Sequence, residues 1–428
     1  MSTHDDWVKR DEAVVWHGFT QMATYGHNQP VVIERAEGRE LIDVDGKRYL
    51  DAISSLWVTT LGHRVAELDD ALRNQIDRVA HSTLLGNGNT AAVELAEDLA
   101  GVVPVDRPHF LFASDGAAAV EQALKIAFQY WTNQGIAGKD TYVAFGGAYH
   151  GDTIGSLSLG SGGFGTDVFD PLRFPVLRAP DVDAPGAFEA ACALVRDNAP
   201  RLAAVVIEPL VQGAAGMRMS PPDGVRALAD ACRTSGVLLI ADEVATGFGR
   251  TGTLFASEQC EIRPDLMCIG KGLTGGYLPM AATVASGAVF DAFLGPDLSE
   301  FTLYHGHSFS GNALCAAVAR RHLHLFEEWG VLANVVARAE QLRARLVEVA
   351  ALPGVADVRQ QGLMVGVELA PPQDGLRWGR RVCAEAVRRG VLLRPLGDVV
   401  VLMPILTSTP EEIDRIADTL IASIHALD

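Results

Sequence analysis

The stretch LLIADEVATGFGRTG, residues 238–252, joins a continuous apolar run to two acidic residues and a glycine-rich loop. A short run of this kind predicts a strand that is buried on both faces, as in a parallel sheet covered by helices. Asp242 and Glu243 end the strand, where a carboxylate is costly unless it pairs with a cation or accepts hydrogen bonds. The stretch therefore predicts a covered strand that carries an acid to a functional loop.

The same alternation of strand and helix extends through the middle of the chain. Continuous apolar strands are predicted in PHFLFAS (108–114), DTYVAFGGAYHG (140–151) and RLAAVVIEPLVQG (201–213). Amphipathic helices are predicted in AAAVEQALKIAFQYWTNQG (117–135) and PDGVRALADACRTSG (222–236). This order indicates an α/β domain with a mostly parallel sheet between helices.

The two chain ends have a different pattern. Residues 30–52 alternate apolar and polar positions around a VDGK turn, which predicts an antiparallel hairpin. Two long helices, further strands and a final helix follow residue 312. We expect a small α+β domain built from residues 1–60 and 313–428, with the large domain at 61–312.

Composition narrows the class of protein. The 428 residues are 48% hydrophobic and 21% charged, which is typical of a globular chain. A net charge of -18 without a lysine- and arginine-rich patch disfavours nucleic acid and anionic membranes as partners. The six cysteines are scattered, which favours free thiols in a reducing compartment. With no signal peptide and no apolar run near membrane-spanning length, a cytoplasmic protein is expected.

The position of Lys271 relative to Asp242 indicates a chemical role for the lysine. In CIGKGLTGG (268–276), Lys271 follows a second predicted strand and begins a glycine-rich turn. Alone, it is best explained as a snorkelling side chain. A strand-end acid followed by a strand-end lysine, however, is what pyridoxal phosphate requires. Asp242 would bond the pyridinium nitrogen, and Lys271 would form the Schiff base and move the proton.

Two further turns could complete such a site. DGAAAVEQALK (115–125) begins a helix after a strand, where free N–H groups and the helix dipole attract phosphate. GAYHGDT (147–153) presents Tyr149, which could lie on a ring, and His150 as a hydrogen-bonding neighbour. Taken singly, the first is better explained by packing or capping, and the second by a tyrosine that covers the core edge.

Two other motifs are not interpreted as sites. GSGGFG (160–165) fits the dinucleotide pattern, but Pro171 and Pro175 oppose the helix that this fingerprint needs, so a mobile loop is predicted. HGH (305–307) has no third ligand nearby, so no metal is expected.

These motifs together resemble a known family. VIEPLVQGAAGMRM (206–219), LLIADEVATGFGRTG, CIGKGLTGG and HGHSFSGN (305–312) resemble the class III aminotransferases of PLP fold type I. WHGFTQM, ISSLWV, FQYW, YHGDTIG and VLLRPLGDVVVLMP are similar to the biotin-pathway 7,8-diaminopelargonate synthases. The resemblance runs from about Trp16 to the C-terminal helix. It implies a homodimer with shared active sites that binds a small-molecule amino donor and a keto acceptor.

The resemblance also implies a role for individual residues. The catalytic set would be Lys271, Asp242 and Tyr149. Pyridoxal 5'-phosphate would be held by Gly116, Ala117, Tyr149, His150, Glu208, Asp242, Val244 and Lys271, with His307 and Ser308 of the partner subunit. Substrates would contact Phe19, Leu56, Trp57, Tyr149, Gly306 and Arg394, the last gripping the carboxylate of 8-amino-7-oxononanoate. Gln212 and Glu208 could equally be satisfied loop residues.

Three departures from the family pattern bear on activity. Ala117 stands where a serine is frequent, which removes one hydroxyl contact to phosphate. Phe19 and Leu56 replace a tyrosine and a tryptophan of the members that use S-adenosylmethionine, which weakens a cation–π contact to a sulfonium. The resemblance implies conversion of 8-amino-7-oxononanoate to 7,8-diaminononanoate with lysine or S-adenosylmethionine as donor. Phe19, Leu56 and HGHS (305–308) resemble the branch of the family that takes lysine, which favours lysine.

Two alternatives stay open at this point. One is an ω-amino-acid or diamine:pyruvate class III aminotransferase of another pathway. The other is a catalytically idle member of the fold, which would be free to lose the lysine or the acid. This chain has both.

Overall fold

A computed structural model describes residues 3–161, 165–373 and 375–427. In chain order the strands are β1 (Ile33–Glu37), β2 (Glu40–Asp43), β3 (Arg48–Asp51), β4 (His109–Ala113), β5 (Thr141–Gly146), β6 (Leu177–Asp181), β7 (Leu202–Ile207), β8 (Val211–Gln212), β9 (Arg218–Met219), β10 (Leu238–Asp242), β11 (Leu266–Ile269), β12 (Ala281–Ala285), β13 (Val355–Gln361), β14 (Met364–Leu369), β15 (Val391–Leu392), β16 (Arg394–Leu396) and β17 (Val399–Leu402).

The α-helices are α1 (His4–Val14), α2 (Ser54–Trp57), α3 (Ala66–Ile76), α4 (Thr90–Ala100), α5 (Gly116–Asn133), α6 (Ile154–Leu159), α7 (Ala187–Asn198), α8 (Pro222–Ser235), α9 (Ala256–Gln259), α10 (Gly287–Asp291), α11 (Ala313–Glu328), α12 (Val331–Ala350), α13 (Trp378–Arg388) and α14 (Pro410–His425). Within the described ranges, no helix is long and apolar enough to cross a membrane.

The central sheet has seven strands in the order β4-β12-β11-β10-β7-β5-β6. The pairs from β11 to β6 are parallel, and β12 runs antiparallel to both of its neighbours. The predicted mostly parallel sheet is therefore confirmed. Every residue of β7 and of β10 is buried, as their continuous apolar sequences require.

Helices cover the two faces of this sheet. Val205 and Ile207 of β7 pack in one core with residues of α7 and α8. Ala204 and Val206 of the same strand pack in another core with residues of α5. Alternate side chains along one strand thus enter two cores, which explains why the strand is apolar at every position.

The register of β10 and β11 decides where the acid and the lysine meet. These strands are parallel neighbours, and Asp242 pairs with Cys268. Lys271 begins a 3-10 turn, Lys271–Thr274, just beyond the end of β11. Both side chains therefore leave the sheet at its carboxyl edge, where open α/β sheets place their ligands.

The two chain ends meet in a second sheet. The predicted hairpin is formed by β1, β2 and β3, which pair antiparallel. The C-terminal strand β15 then adds to β3 in parallel. The boundaries at residues 60 and 312 stay a prediction. Of the GSGGFG motif, residues 162–164 lie outside the described residues, and Pro171 lies in a 3-10 turn, Thr166–Leu172.

Candidate active site

A cavity of about 470 Å³ lies at the carboxyl edge of the central sheet. Segments that follow five strands, β4, β5, β7, β10 and β11, supply most of its wall. The lining residues are Trp57, Asp115, Gly116, Ala117, Tyr149, His150, Gly151, Asp152, Thr153, Glu208, Ala214, Asp242, Val244, Ala245 and Lys271. We name this space the catalytic cavity.

Asp242 is held rigidly at the floor of the cavity. One carboxylate oxygen, Oδ2, lies 2.7 Å from Nδ1 of His150, and the other accepts the N–H of Val244 at 3.1 Å. Both side chains are buried. Burial opposes a charge on His150, but the hydrogen bond to Asp242 and the charges of Asp242 and Glu208 together outweigh it and raise the pKa of His150. Asp242 therefore has one oriented carboxylate edge and a partner that supports its charge.

Lys271 approaches the same floor from the next strand. Its Nζ lies 5.0 Å from the ring centroid of Trp57. Burial lowers the pKa of the amine, while Asp242 and Glu208 act in the opposite direction. A lowered pKa enlarges the fraction of neutral amine, which is the nucleophilic and basic form. The φ angle of Lys271 is +42°, a left-handed conformation that is uncommon outside glycine.

The start of α5 forms a cradle for an anion. Asp115 caps the helix by accepting the N–H of Ala118 at 2.8 Å, which leaves the N–H groups of Gly116 and Ala117 at the helix end. A Cβ at residue 116 would lie 2.6 Å from Cγ1 of Val244, so the close approach requires glycine. An 18-residue helix adds its dipole to these donors.

Glu208 ties two walls of the cavity together. Its carboxylate accepts the N–H of Tyr149 at 3.3 Å and the N–H of Gly213 at 3.1 Å. Burial raises the pKa of Glu208 to about 7; His150 lowers it and Asp242 raises it further. The Tyr149 hydroxyl donates to Asp152 at 2.9 Å. Tyr149 is therefore fixed through both its backbone and its ring.

Glu208 should make stability depend on pH in a definite direction. Its pKa is about 7 in the folded chain and 4.5 when solvated. The folded chain therefore holds the proton more tightly, and the free energy of unfolding should fall as pH rises from about 4.5 to about 7, by roughly 3 kcal/mol. Urea unfolding of the cofactor-free protein at several pH values measures this. Glu208→Gln should lose that component of the slope; an unchanged slope would contradict the assignment.

Unpartnered polar atoms show that the cavity suits pyridoxal phosphate. Nε2 of His150 and Nε1 of Trp57 are buried and have no hydrogen-bond partner within the described parts of the chain. Together with the helix-end N–H groups, the oriented Asp242 edge and a low-pKa lysine, the cavity offers an anion cradle, an acid and an amine. The residues present therefore fit this cofactor.

Several predicted site residues do not line the cavity of this single chain. Phe19 and Leu56 are 66% and 44% exposed, and Gly306 and Ser308 are also exposed. His307 lies with Nδ1 3.5 Å from Oγ of Ser114, one residue before the α5 cap. Arg394 is half-buried on β16 and has no ion-pair partner among the described residues. Gln212 is buried and does not line the cavity.

Other lining residues were not predicted from the sequence. Asp152 stands exposed at the mouth and holds Tyr149, and its position in the quoted GAYHGDT turn was the signal that could have revealed it. Asp115 was visible as a helix-capping residue. Ala214 and Ala245 gave no signal, because small apolar residues in loops have no distinctive chemistry.

The chain is similar to known proteins over nearly its whole length. The family model described as "Aminotransferase class-III" matches residues 21–424. An adenosylmethionine-8-amino-7-oxononanoate aminotransferase of Nitratidesulfovibrio vulgaris is 46% identical, over 97% of this chain and 81% of the relative. The crystal structure of the enzyme of that name from Methanocaldococcus jannaschii aligns with a TM-score of 0.95, 37% identity and 98% of each chain. An omega transaminase from Pseudomonas jessenii in complex with PMP aligns with a TM-score of 0.92, 28% identity and 98% and 97% of the two chains.

Proposed function

The chain belongs to the class III aminotransferases and is a pyridoxal phosphate-dependent transaminase, and we propose that its keto acceptor is 8-amino-7-oxononanoate. The product would be 7,8-diaminononanoate, an intermediate of biotin synthesis. Similarity over nearly the full length to relatives named for this acceptor supports the proposal. The observation that carries the chemistry is the meeting of Asp242 and Lys271 at adjacent strand ends in one cavity.

The cavity residues divide the binding of the cofactor among them. Asp242, oriented by His150, would hold the pyridine nitrogen. The N–H groups of Gly116 and Ala117 would bind the phosphate. Tyr149 and Val244 would lie against the two ring faces. When bound, pyridoxal phosphate supplies an electron sink for the charge that develops at the donor carbon.

Lys271 would do the proton chemistry. Its neutral amine, favoured by burial, would take the proton from the amino-bearing carbon of the donor and return one to the carbon of the acceptor. Trp57, whose ring centroid lies 5.0 Å from Nζ, would help to shield this amine from water. Both half-reactions would use the same amine, so the donor product must leave before the acceptor binds.

Substrate recognition is assigned to Asp152 of the cavity lining and to three residues that do not line the cavity of the single chain. Arg394, which has no ion-pair partner in the described chain, would bind the acceptor carboxylate. Asp152 is an exposed carboxylate suited to an amino group of either substrate. Phe19 and Leu56 lack the hydroxyl and the broad aromatic face expected for a sulfonium donor, which favours L-lysine.

We further propose a cytoplasmic homodimer. His307 and Ser308 of the partner subunit would complete the phosphate site, which fits the exposure of Ser308 and of the neighbouring Phe309 in the single chain. Six buried cysteines, none in a disulfide, fit a reducing compartment. Sedimentation velocity tests the dimer: a monomer at micromolar concentration with full activity would refute shared sites.

Enlarging Gly116 should weaken cofactor binding. In Gly116→Ala the new Cβ would lie 2.6 Å from Val244, so the cradle must shift. Overpacking of this size costs about 1–3 kcal/mol, so the Kd for pyridoxal phosphate should rise about 10- to 100-fold. Equilibrium titration of the cofactor-free protein measures it. Gly88→Ala is the control, since a Cβ there meets nothing within 4 Å. Equal Kd values for both variants would contradict the cradle.

Half-reactions test the donor. L-lysine and S-adenosylmethionine are added separately to the purified holoenzyme without acceptor, and the visible absorbance of the bound cofactor is followed. We expect lysine alone to convert it. Conversion by S-adenosylmethionine alone would show that Phe19 and Leu56 are tolerated and that the donor assignment is wrong.

Growth tests the pathway. The gene should restore growth of a strain blocked at the diaminopelargonate step. Failure to do so, with an active enzyme on pyruvate, would favour an ω-amino-acid or diamine:pyruvate aminotransferase, a reading supported by the likeness to the omega transaminase.

A further inference from the structure

A buried histidine lies beneath the lysine turn and has no part in the proposed chemistry. His322 of α11 has no exposed surface. Its ring packs edge-on against Phe326, with centroids 5.0 Å apart, and lies 6.1 Å from the ring of Phe248. Burial lowers the pKa of His322 to about 3, so the ring is neutral at ordinary pH. A polar ring in an apolar pocket is costly unless its polar atoms bind, so the residue needs a specific explanation.

One ring nitrogen of His322 holds Thr60. Nε2 lies 2.5 Å from Oγ1 of Thr60, which is also fully buried. The backbone carbonyl of Thr60 accepts the N–H of Leu406 at 2.9 Å, so the residue is anchored to the C-terminal part of the chain as well. Its methyl group faces the residue after the catalytic lysine. A Cβ at Gly272 would lie 3.2 Å from Cγ2 of Thr60.

The ring itself supports the other end of the turn. Gly275 ends the Lys271–Thr274 turn in a left-handed conformation, with φ +65°. A Cβ at this position would lie 2.9 Å from Cδ2 of His322. Thr60 and His322, joined by their hydrogen bond, therefore back the turn at Gly272 and at Gly275. At Gly275 the close approach and the positive φ together require glycine, and at Gly272 a Cβ would also press on Cβ of Phe248 at 2.9 Å.

The strained backbone of Lys271 explains why the turn needs this support. A left-handed backbone with φ +42° is unfavourable for a lysine. It persists only where the surrounding structure holds the residue in this conformation. We propose that His322, acting through Thr60, is a positioning residue that holds the lysine turn and so fixes the direction of the Lys271 amine. This inference rests on the role proposed for Lys271.

The test uses paired variants of the holoenzyme. His322→Leu and Thr60→Val remove the hydrogen bond, whereas His322→Gln and Thr60→Ser retain a polar group. Two readouts are taken: the pH dependence of the cofactor's visible absorbance without substrate, and single-turnover rates with the donor. A displaced amine costs roughly 10- to 100-fold in rate. We expect that loss in His322→Leu and Thr60→Val, a shifted absorbance titration, and a donor KM changed by less than about threefold.

The double variant and the polar variants separate positioning from general damage. Because Thr60 acts through its bond to His322, His322→Leu/Thr60→Val should be no slower than His322→Leu alone. His322→Gln should recover most of the rate. His324→Leu is the matched control: it removes an exposed histidine of the same helix, whose Nε2 bonds Asp98, and should leave both readouts unchanged.

Two results would overturn the positioning role of His322. A His322→Leu enzyme with a normal absorbance titration and rate would overturn the inference. If that variant fails to fold, Thr60→Val against Thr60→Ser decides in the same way, since equal titrations and rates for the two would also overturn it. A separate variant tests the proposed function. If that function is wrong, Lys271→Ala will keep turnover, irrespective of the results for the His322 variants.

Discussion

Lys271→Ala should abolish multiple-turnover transamination, with a fall in kcat of roughly 10⁴-fold or more. The substitution removes the amine that the fold directs to the floor of the catalytic cavity, beside Trp57 and in the field of Asp242. Alanine can neither attach to the cofactor nor carry the proton. The enzyme should still bind pyridoxal phosphate through Asp242 and the α5 cradle. Steady-state assays and absorbance spectra of the same preparation measure both effects.

Lys139→Ala is the matched control for this variant. Lys139 is also partly buried, burial lowers the pKa of its amine, and Nζ donates to the carbonyls of Ala199, Leu202 and Gly236. Its loss should lower the free energy of unfolding by about 1–3 kcal/mol and leave kcat near the wild-type value. Lys271→Ala with substantial turnover would contradict the assignment of the amine.

Asp242→Asn should lower kcat by roughly 10²- to 10³-fold while the protein remains folded. The carboxamide removes the charge that would face the pyridine nitrogen and weakens the pairing with His150, now 2.7 Å away. The visible spectrum of the bound cofactor should change, because in the proposed site this carboxylate would keep the ring nitrogen protonated. Rapid-mixing rates of the donor half-reaction provide the measurement.

The adjacent acid supplies the contrast. Glu243 faces the other way, where it accepts the N–H groups of Ala256 and Ser257 and the hydroxyl of Thr246. Glu243→Gln should cost about 1–3 kcal/mol of stability, because an amide nitrogen would face backbone N–H groups. Its cofactor spectrum should be unchanged. If Glu243→Gln altered the spectrum and Asp242→Asn did not, the two acids would have been assigned in reverse.

The central α/β layer could be predicted because its sequence pattern is local. The helix expected at 117–135 forms as Gly116–Asn133, and the strand after residue 237 forms as Leu238–Asp242. Asp242 and Lys271 were joined from the sequence because each follows a predicted strand, and the parallel pairing of those strands ends both at one edge of the sheet. Strand β12 escaped prediction: AATVA is rich in alanine, and its place between β4 and β11 depends on tertiary pairing.

Other features depend on contacts that are remote in sequence. Trp57 reaches the lysine through four successive left-handed residues, Ser54 to Trp57, none of them glycine. Asp51 holds the backbone N–H and the hydroxyl of Ser55, so surrounding structure rather than propensity sets this turn. His322 and Thr60 are 262 positions apart. No periodicity in a single sequence reveals such pairs.

The acceptor half-reaction tests the central claim most directly. Enzyme converted to its pyridoxamine form is freed of donor and mixed rapidly with 8-amino-7-oxononanoate or with pyruvate, and the return of the pyridoxal absorbance is followed. Mass spectrometry identifies the amine formed. The account predicts fast conversion by 8-amino-7-oxononanoate with one equivalent of 7,8-diaminononanoate per active site, and slow conversion by pyruvate. Rapid conversion by pyruvate and none by 8-amino-7-oxononanoate would contradict it.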